Sequence, residues 1–295
     1  MSKEMPPAIT AAHAEDVGVE TAAQQSVGAD TTAHAKQAAR TEHVLTAREA
    51  IRRYPRAIFW CLVVSMCVVM EGYDLNLLTN FYAYPTFAKR YGTFVESSGN
   101  YQLSAPWQAA LGNASGIGAF FGTLLNGYLV TKFGHIRVLI GALFTLSAFI
   151  FIVFFAQNIV MLLVGLMLCG IPWGVFQTLT CTYAAEVVPV PLRPILTTYV
   201  NLCWVMGQFL ASGVLKGVAG RPDQWAYRIP YALQWLWPVP LMIGISFAPE
   251  SPWWLVRKGR EDDAKKMLIR LTSPEKHPDF NADETMAMVC FVPHL

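Results

Sequence analysis

The sequence predicts an all-α, polytopic membrane protein: a bundle of about six spanning helices. Three observations predict it. The 295 residues are 54% hydrophobic and only 14% charged, where a soluble domain carries about a quarter charged residues. Most of the charge lies in residues 1–56 and 251–288. Between them run six apolar blocks, each close to the roughly 20 residues that a helix needs to cross the hydrocarbon of a bilayer.

In chain order, residues 1–50 read as a disordered tail. They are rich in Ala, Thr, Gln and Glu, with too little apolar surface to offset ordering entropy. They contain no apolar core suited to a signal peptide. A short amphipathic helix fits Ala47–Tyr54. The spanning blocks are 57–80, 107–130, 136–156, 159–183, 196–219 and 229–248, within a bundle over 51–250. The first, third and fourth are the plainest. The second carries Gly112, Ser115, Gly116, Gly118 and Gly122, and the fifth carries Gly207, Ser212, Gly213 and Gly217. Small residues at such spacings let helices approach closely in lipid. The sixth holds Pro230, Pro238 and Pro240, tolerated in membrane helices when neighbours satisfy the freed carbonyls. Residues 251–295 read as a cytoplasmic linker that ends early. Within it, Glu261–Leu271 forms an amphipathic helix with Ala264, Met267, Leu268 and Leu271 on one face.

Cationic residues near the span ends set orientation. Arg52, Arg53, Arg56, Lys132, Arg137, Arg193, Arg257, Lys258, Arg260, Lys265 and Lys266 fall on one side, against Lys89, Arg90, Lys216, Arg221 and Arg228 on the other. The bias places both termini in the cytoplasm, as an even number of spans requires. The loop 81–106 is then the longest outer connection.

Several function classes lose support. No basic patch with interleaved aromatics points to nucleic acid. The six cysteines form no C-x-x-C pair and no Cys/His cluster at metal spacing, and they read as small packing residues. There is no P-loop and no Ser/His/Asp arrangement. The sequence therefore points to no enzyme, no metal and no cofactor.

The charged residues inside or beside the spans are the candidates. Glu71 and Asp74 stand at the end of the first block. A carboxylate within the membrane is costly unless it serves an ion or substrate path. The alternative puts the pair at the aqueous mouth of the helix. Gly134 allows a tight turn between the second and third blocks, with Lys132 and Arg137 on either side to meet helix carbonyls or carboxylates. Glu186 ends the fourth block with Arg193 after it, and Glu250 follows the sixth with Arg257 after it. Such ion pairs can latch one state of a moving bundle, or can be static surface pairs of little worth.

These residues carry a resemblance. Pro249-Glu250-Ser251-Pro252-Trp253-Trp254-Leu255 resembles the signature after the sixth helix of the sugar porters, a branch of the major facilitator superfamily. The turn Gly127–Arg137 resembles that superfamily's motif between helices two and three, with Thr131 where an Asp is usual and His135 where a basic residue is usual. Glu186 and Arg193 match the motif after helix four, with Pro194 in place of Gly. Cys169-Gly-Ile-Pro-Trp-Gly-Val-Phe-Gln-Thr-Leu-Thr180, Thr198-Tyr-Val-Asn-Leu-Cys-Trp-Val-Met-Gly-Gln208 and Arg228-Ile-Pro-Tyr-Ala-Leu-Gln-Trp-Leu-Trp-Pro-Val-Pro240 are similar to the fungal maltose and α-glucoside permeases. The likeness covers about residues 50–270.

The resemblance implies the six-helix N-terminal half of a major facilitator superfamily transporter, acting as an α-glucoside:proton symporter by alternating access. Its partners are then a small sugar, protons and the lipid bilayer, most naturally of the plasma membrane. It implies Asp74 as the proton-binding carboxylate and Tyr73 beside the sugar path. Asn201 falls where many sugar porters carry a sugar-binding Gln, since an amide can both donate and accept. Gln177 and Gln208 are further sugar candidates that serve equally as interhelical hydrogen-bond formers. Trp173 and Trp204 could stack on a sugar or pack. The resemblance makes Gly127, Lys132, Gly134, Arg137, Glu186, Arg193, Glu250 and Arg257 the conformational latch. Leu166 stands where many such porters place the Arg that pairs with the helix-one Asp, so a polar partner for Asp74 is missing or lies elsewhere. Three rival readings stay open: a truncated, non-transporting fragment, a non-transporting sugar sensor, and a proton-coupled transporter of another substrate.

Overall fold

The computed structural model describes residues 46–96 and 99–272, with Thr285, Met286 and Val289 beyond them. Of the tail expected over residues 1–50, residues 1–45 lie outside the described residues, as does most of the linker past 272, while residues 46–50 are the cap and start of a helix.

Two short helices precede and start the bundle. Helix α1 is Ala47–Arg53, close to the Ala47–Tyr54 expected. Thr46 caps it, accepting from the Glu49 amide while Glu49 reaches back. The first rod, Pro55–Phe81, is α2 (Pro55–Ser65) and α3 (Cys67–Phe81), with a bend at Met66. Ser65 Oγ donates to the Cys61 carbonyl at 2.7 Å, a back-bond that bends helices.

The connection over 81–106 holds more structure than a plain loop. Helix α4 (Pro85–Tyr91) and a hairpin of β1 (Thr93–Val95) and β2 (Asn100–Gln102) occupy it. Phe81, Phe87, Tyr91 and Tyr227 form a ring cluster beneath, with Phe81 and Phe87 stacked at 5.6 Å.

The remaining rods are α5 (Ala105–Phe133), α6 (His135–Phe154), α7 (Ile159–Val187), α8 (Arg193–Val218) and a broken sixth rod. That last rod runs as α9 (Trp225–Leu233), a 3-10 turn over Gln234–Leu236, and α10 (Pro238–Ser246). All six expected blocks are helical, with ends within a few residues of those expected. Pro55–Phe81, His135–Phe154 and Ile159–Val187 are each long and apolar enough alone to cross a membrane; they are the first, third and fourth blocks. Helices α5 and α8 have the length but are diluted by small and polar residues.

That dilution is a packing device. A Cβ on Gly118 would lie 2.0 Å from the Met167 carbonyl oxygen, and one on Gly122 2.0 Å from that of Ile171. Reciprocally, one on Gly170 would lie 2.2 Å from Ser115 O, and one on Gly174 2.1 Å from Ala119 O. Helices α5 and α7 therefore touch backbone to backbone, as small-xxx-small pairs permit in lipid. Gly72 and Gly207 play the same part between α3 and α8. Of the small residues expected at interfaces, Gly112, Gly116, Gly213 and Gly217 face open space instead.

Large apolar side chains cover the outside of the bundle, Phe209 at 78% exposed and Phe120 at 61% among them. Such an exterior suits lipid or another helix layer. Past the sixth rod, α11 (Pro252–Arg257) and α12 (Glu261–Leu271) fold back beneath it. Ala264, Leu268 and Leu271 of α12 are buried, as the amphipathic pattern predicts.

Candidate functional site

Two polar groups stand out, one within the bundle and one at its Glu186 end. The inner one grows from α3. Glu71 and Asp74, three residues apart, share a helix face, and both are buried. Gln177 on α7 donates its side-chain amide to Glu71 Oε1 at 2.7 Å, while Glu71 Oε2 has no hydrogen-bond partner. Gln234 donates its side-chain amide to Asp74 Oδ1. Among the described residues neither carboxylate meets a Lys or Arg.

Sequence reasoning missed Gln234, and its position has a local cause. Pro238 brings no N–H to the carbonyl four residues back, and its ring crowds that carbonyl. The helix tightens at Gln234–Leu236 as a result. The Gln234 amide N–H bonds back to Tyr231, leaving the Pro230 carbonyl to accept the Tyr73 hydroxyl at 3.0 Å. A polar side chain four residues before a proline in an apolar run was the available signal. Tyr73 and Gln234 also line a small apolar cavity of about 150 Å³ with Met70, Leu210, Val214 and Trp237.

The other sugar candidates are placed differently. Asn201 is exposed on α8. The backbone carbonyl of Gln208, rather than its side chain, accepts Asn76 Nδ2 at 2.7 Å, and Asn76 reaches Ser212 Oγ at 2.8 Å. Asn76 is a second polar residue that sequence reasoning passed over. Trp173 is buried at 3% exposed, a packing position, and the Trp204 carbonyl sits beneath Gly72. Leu166 is buried and apolar; the partner of Asp74 is Gln234, from a different helix.

The second group closes the end of the bundle. Gly134, at φ 92°, ends α5 and starts α6. The positive φ requires glycine there, and its missing side chain leaves room for Glu250 Oε2, which would lie 2.6 Å from a Cβ. Glu250 reaches across from the end of the sixth rod. Its Oε1 accepts the His135 amide at 2.9 Å and its Oε2 the Ile136 amide at 3.2 Å. It thus satisfies two of the orphan donors of the α6 N-terminus. Burial pushes the Glu250 carboxyl up, but the His135 imidazole and the Ser251 and His135 amides outweigh it and hold it below the usual carboxylate range.

His135 is 1% exposed. Its Nε2 lies 3.5 Å from Glu186 Oε2 and its Nδ1 3.5 Å from Glu250 Oε1. Glu186 also accepts from Ser251 Oγ and from Arg257, whose Nη2 is 2.6 Å from its Oε1. This crosses the expected pairing. Arg257 bonds to Glu186 rather than Glu250, and Arg193 turns its Nε to the Val188 carbonyl at 3.3 Å. The cause is the fold-back of α11, which carries Arg257 under the end of α7. Trp254 Nε1 adds a bond to the Thr131 carbonyl at 3.2 Å. Lys132 lies over the Tyr128 and Phe133 rings at 5.9 and 5.3 Å. Gly127 and Arg137 are exposed and take no part in the cluster.

Comparison with known proteins gives one direction. Residues 60–291 match the family described as sugar (and other) transporter. The chain is 46% identical over 247 residues to maltose permease MAL31 of Saccharomyces cerevisiae, covering 82% of this chain and 40% of that one. It is 45% identical over 252 residues to the alpha-glucosides permease MPH3 of the same organism, 84% and 42% of the two chains. The chain thus spans about two fifths of the length of these relatives. Among solved structures, the partially occluded inward-open xylose transporter XylE from E. coli matches with TM-score 0.65 at 18% identity, over 80% of this chain and 59% of that one. The major facilitator superfamily proton:xylose symporter XylE bound to 6-bromo-6-deoxy-D-glucose matches with TM-score 0.64, also at 18% identity, over 80% and 53%. The chain shares its helical fold with these solved transporters over most of its length, and it belongs to the sugar (and other) transporter family.

Proposed function

We propose that this chain forms the first half-bundle of an α-glucoside:proton symporter, working by alternating access on a maltose-like sugar. The observation that carries the reading is the buried Asp74, joined to the amide of Gln234 at the break in the sixth rod. A carboxylate within a membrane bundle that is bonded by a neutral amide, with no Lys or Arg beside it among the described residues, leaves its charge to be balanced by a proton. Its partner sits where the helix is interrupted, and interrupted helices are where carriers of this kind place substrate and coupling ions. Glu71, held by Gln177 one turn away, adds a second acceptor on the same path. Likeness to permeases whose names give maltose and alpha-glucosides supports the sugar class.

In this reading both termini face the cytoplasm, as the Lys and Arg bias indicates, and the membrane is the plasma membrane. The cluster of Glu186, Glu250, His135, Ser251 and Arg257 then latches the cytoplasmic end. Tyr73, Asn201, Gln177 and Gln208 are the sugar-side candidates.

The test is uptake of labelled maltose in cells lacking their own α-glucoside permeases, with the chain expressed alone and alongside a second half-bundle from a maltose permease. Acid-outside-driven accumulation in either arm supports the reading, and Asp74→Asn should remove it while leaving sugar exchange at equal concentrations. Accumulation that survives Asp74→Asn, or its absence from both arms at normal expression, removes the reading.

A further inference from the structure

The turn at Gly134 creates a feature that the transport reading does not use. Helices α5 and α6 both lie on α7, but touch each other little beyond the turn. Between them, floored by α7, runs a cleft of about 370 Å³. Its walls are apolar: Leu125, Leu129 and Phe133 on α5, Val138 on α6, and Ile171 and Val175 on α7. The α6 wall is recessed at Gly141, where a Cβ would meet nothing within 4 Å.

One end of the cleft is cationic. Arg137 lines it, is exposed, and has no carboxylate partner among the described residues. The Lys132 ammonium is held 5.3 Å from the Phe133 ring, itself part of the wall. No acid offsets these charges from the turn: Thr131 is neutral and bonds back to the Gly127 carbonyl at 2.7 Å. Glu250 is engaged by the amides of His135 and Ile136. An apolar slot with two cations at one end, at the rim of the spanning helices, complements a molecule with a long apolar tail and an anionic head.

We propose that this cleft binds one anionic phospholipid, an acyl chain lying in the slot and the phosphate on Arg137, with Lys132 as the second cation. Guanidinium forks match phosphate oxygens bidentately. On the orientation proposed above, the cationic end faces the cytoplasmic leaflet, where anionic lipids are concentrated. The assignment of leaflet rests on that orientation; the binding itself does not.

The experiment uses the purified, delipidated chain in neutral detergent, titrated with phosphatidylserine or phosphatidylcholine of matched chains, with bound lipid counted by native mass spectrometry. The expected result is at least a fivefold preference for phosphatidylserine, about the ratio that one cation near an anionic lipid contributes. Arg137→Gln should lower that preference about fivefold. Gly141→Leu, which fills the recess, should lower retention of both lipids. A melt of each variant in lipid-free detergent establishes that it is folded. Inorganic phosphate should not displace the lipid, because the site needs the tail. Equal retention of the two lipids by the wild type, an unchanged preference in Arg137→Gln, or undiminished retention in a folded Gly141→Leu would each overturn the proposal. No uptake enters the readout, so a failure of the transport reading leaves this result standing, and the reverse.

Discussion

The side-chain amide of Gln234 donates to the carboxylate of Asp74, tying the break in the sixth rod to the first. Removing one partner strands the other in an apolar interior, while removing both is close to neutral. Gln234→Leu should therefore lower stability by about 1 kcal/mol, the scale of interhelical polar contacts in membranes. In an Asp74→Leu background the same substitution should cost almost nothing. Thermal unfolding of the four proteins in detergent closes the cycle. Additive costs would show that the two side chains do not depend on each other.

The contact of α5 with α7 makes a sharper stability prediction. Gly122→Ala and Gly174→Ala place a Cβ near 2 Å from a facing carbonyl oxygen, so the helices must separate. Overpacking of this kind costs about 1–3 kcal/mol. Gly116→Ala, on the same helix but facing open space, should be neutral or stabilising by up to about 1 kcal/mol, because alanine is the better helix former. Opposite signs for Gly122 and Gly116 in one melting series would verify the register of the interface. Matching signs would contradict it.

The Arg257–Glu186 pair predicts which arginine matters at the closed end. The contact is 2.6 Å, with Arg257 51% exposed and Glu186 22%. Partial exposure keeps its worth small, on the order of 0.5 kcal/mol at low salt, and salt should screen it further. A double-mutant cycle of Glu186→Gln with Arg257→Gln should show that coupling, and one with Arg193→Gln should show none. Coupling to Arg193 instead would restore the pairing suggested by sequence order.

Much of the bundle was legible because long apolar helices announce themselves by length and composition: all six blocks are helical, and three of them are long and apolar enough alone to cross a membrane. The amphipathic face of α12 was equally plain. The site was less so. Glu186 and Arg193 are seven residues apart, as are Glu250 and Arg257, and that symmetry invites two local pairs. The fold-back of α11 exchanges one of them, and no local pattern encodes a fold-back. Gln234 was hidden for another reason: prolines mark a break in the sixth block, but which side chain that break turns inward depends on the helices packed around it. The recess at Gly141 was equally silent, since a glycine facing a neighbouring backbone and one facing a cleft look alike in sequence. Gly118 and Gly112 illustrate the same ambiguity within one helix.

Glu250 carries the pH prediction. Its carboxylate accepts the His135, Ile136 and Ser251 amides and is held below the usual carboxylate range. A carboxyl depressed on folding contributes stability above its unfolded value, about 4.3, and loses it as pH falls through the folded value. Glu250→Gln keeps the shape and removes the charge, so the α6 N-terminus keeps only a weaker cap, at a cost of about 1 kcal/mol. In a His135→Gln background, which takes away the neighbouring imidazole, the gap in stability between the Glu250 protein and Glu250→Gln should be flat from neutral pH down to about 5 and then close below about pH 4.3. The low-pH closure belongs to the carboxylate and its backbone amides, which remain there. A gap that widens as the pH falls, or one absent at neutral pH, would mean that Glu250 does not hold the helix end as an anion.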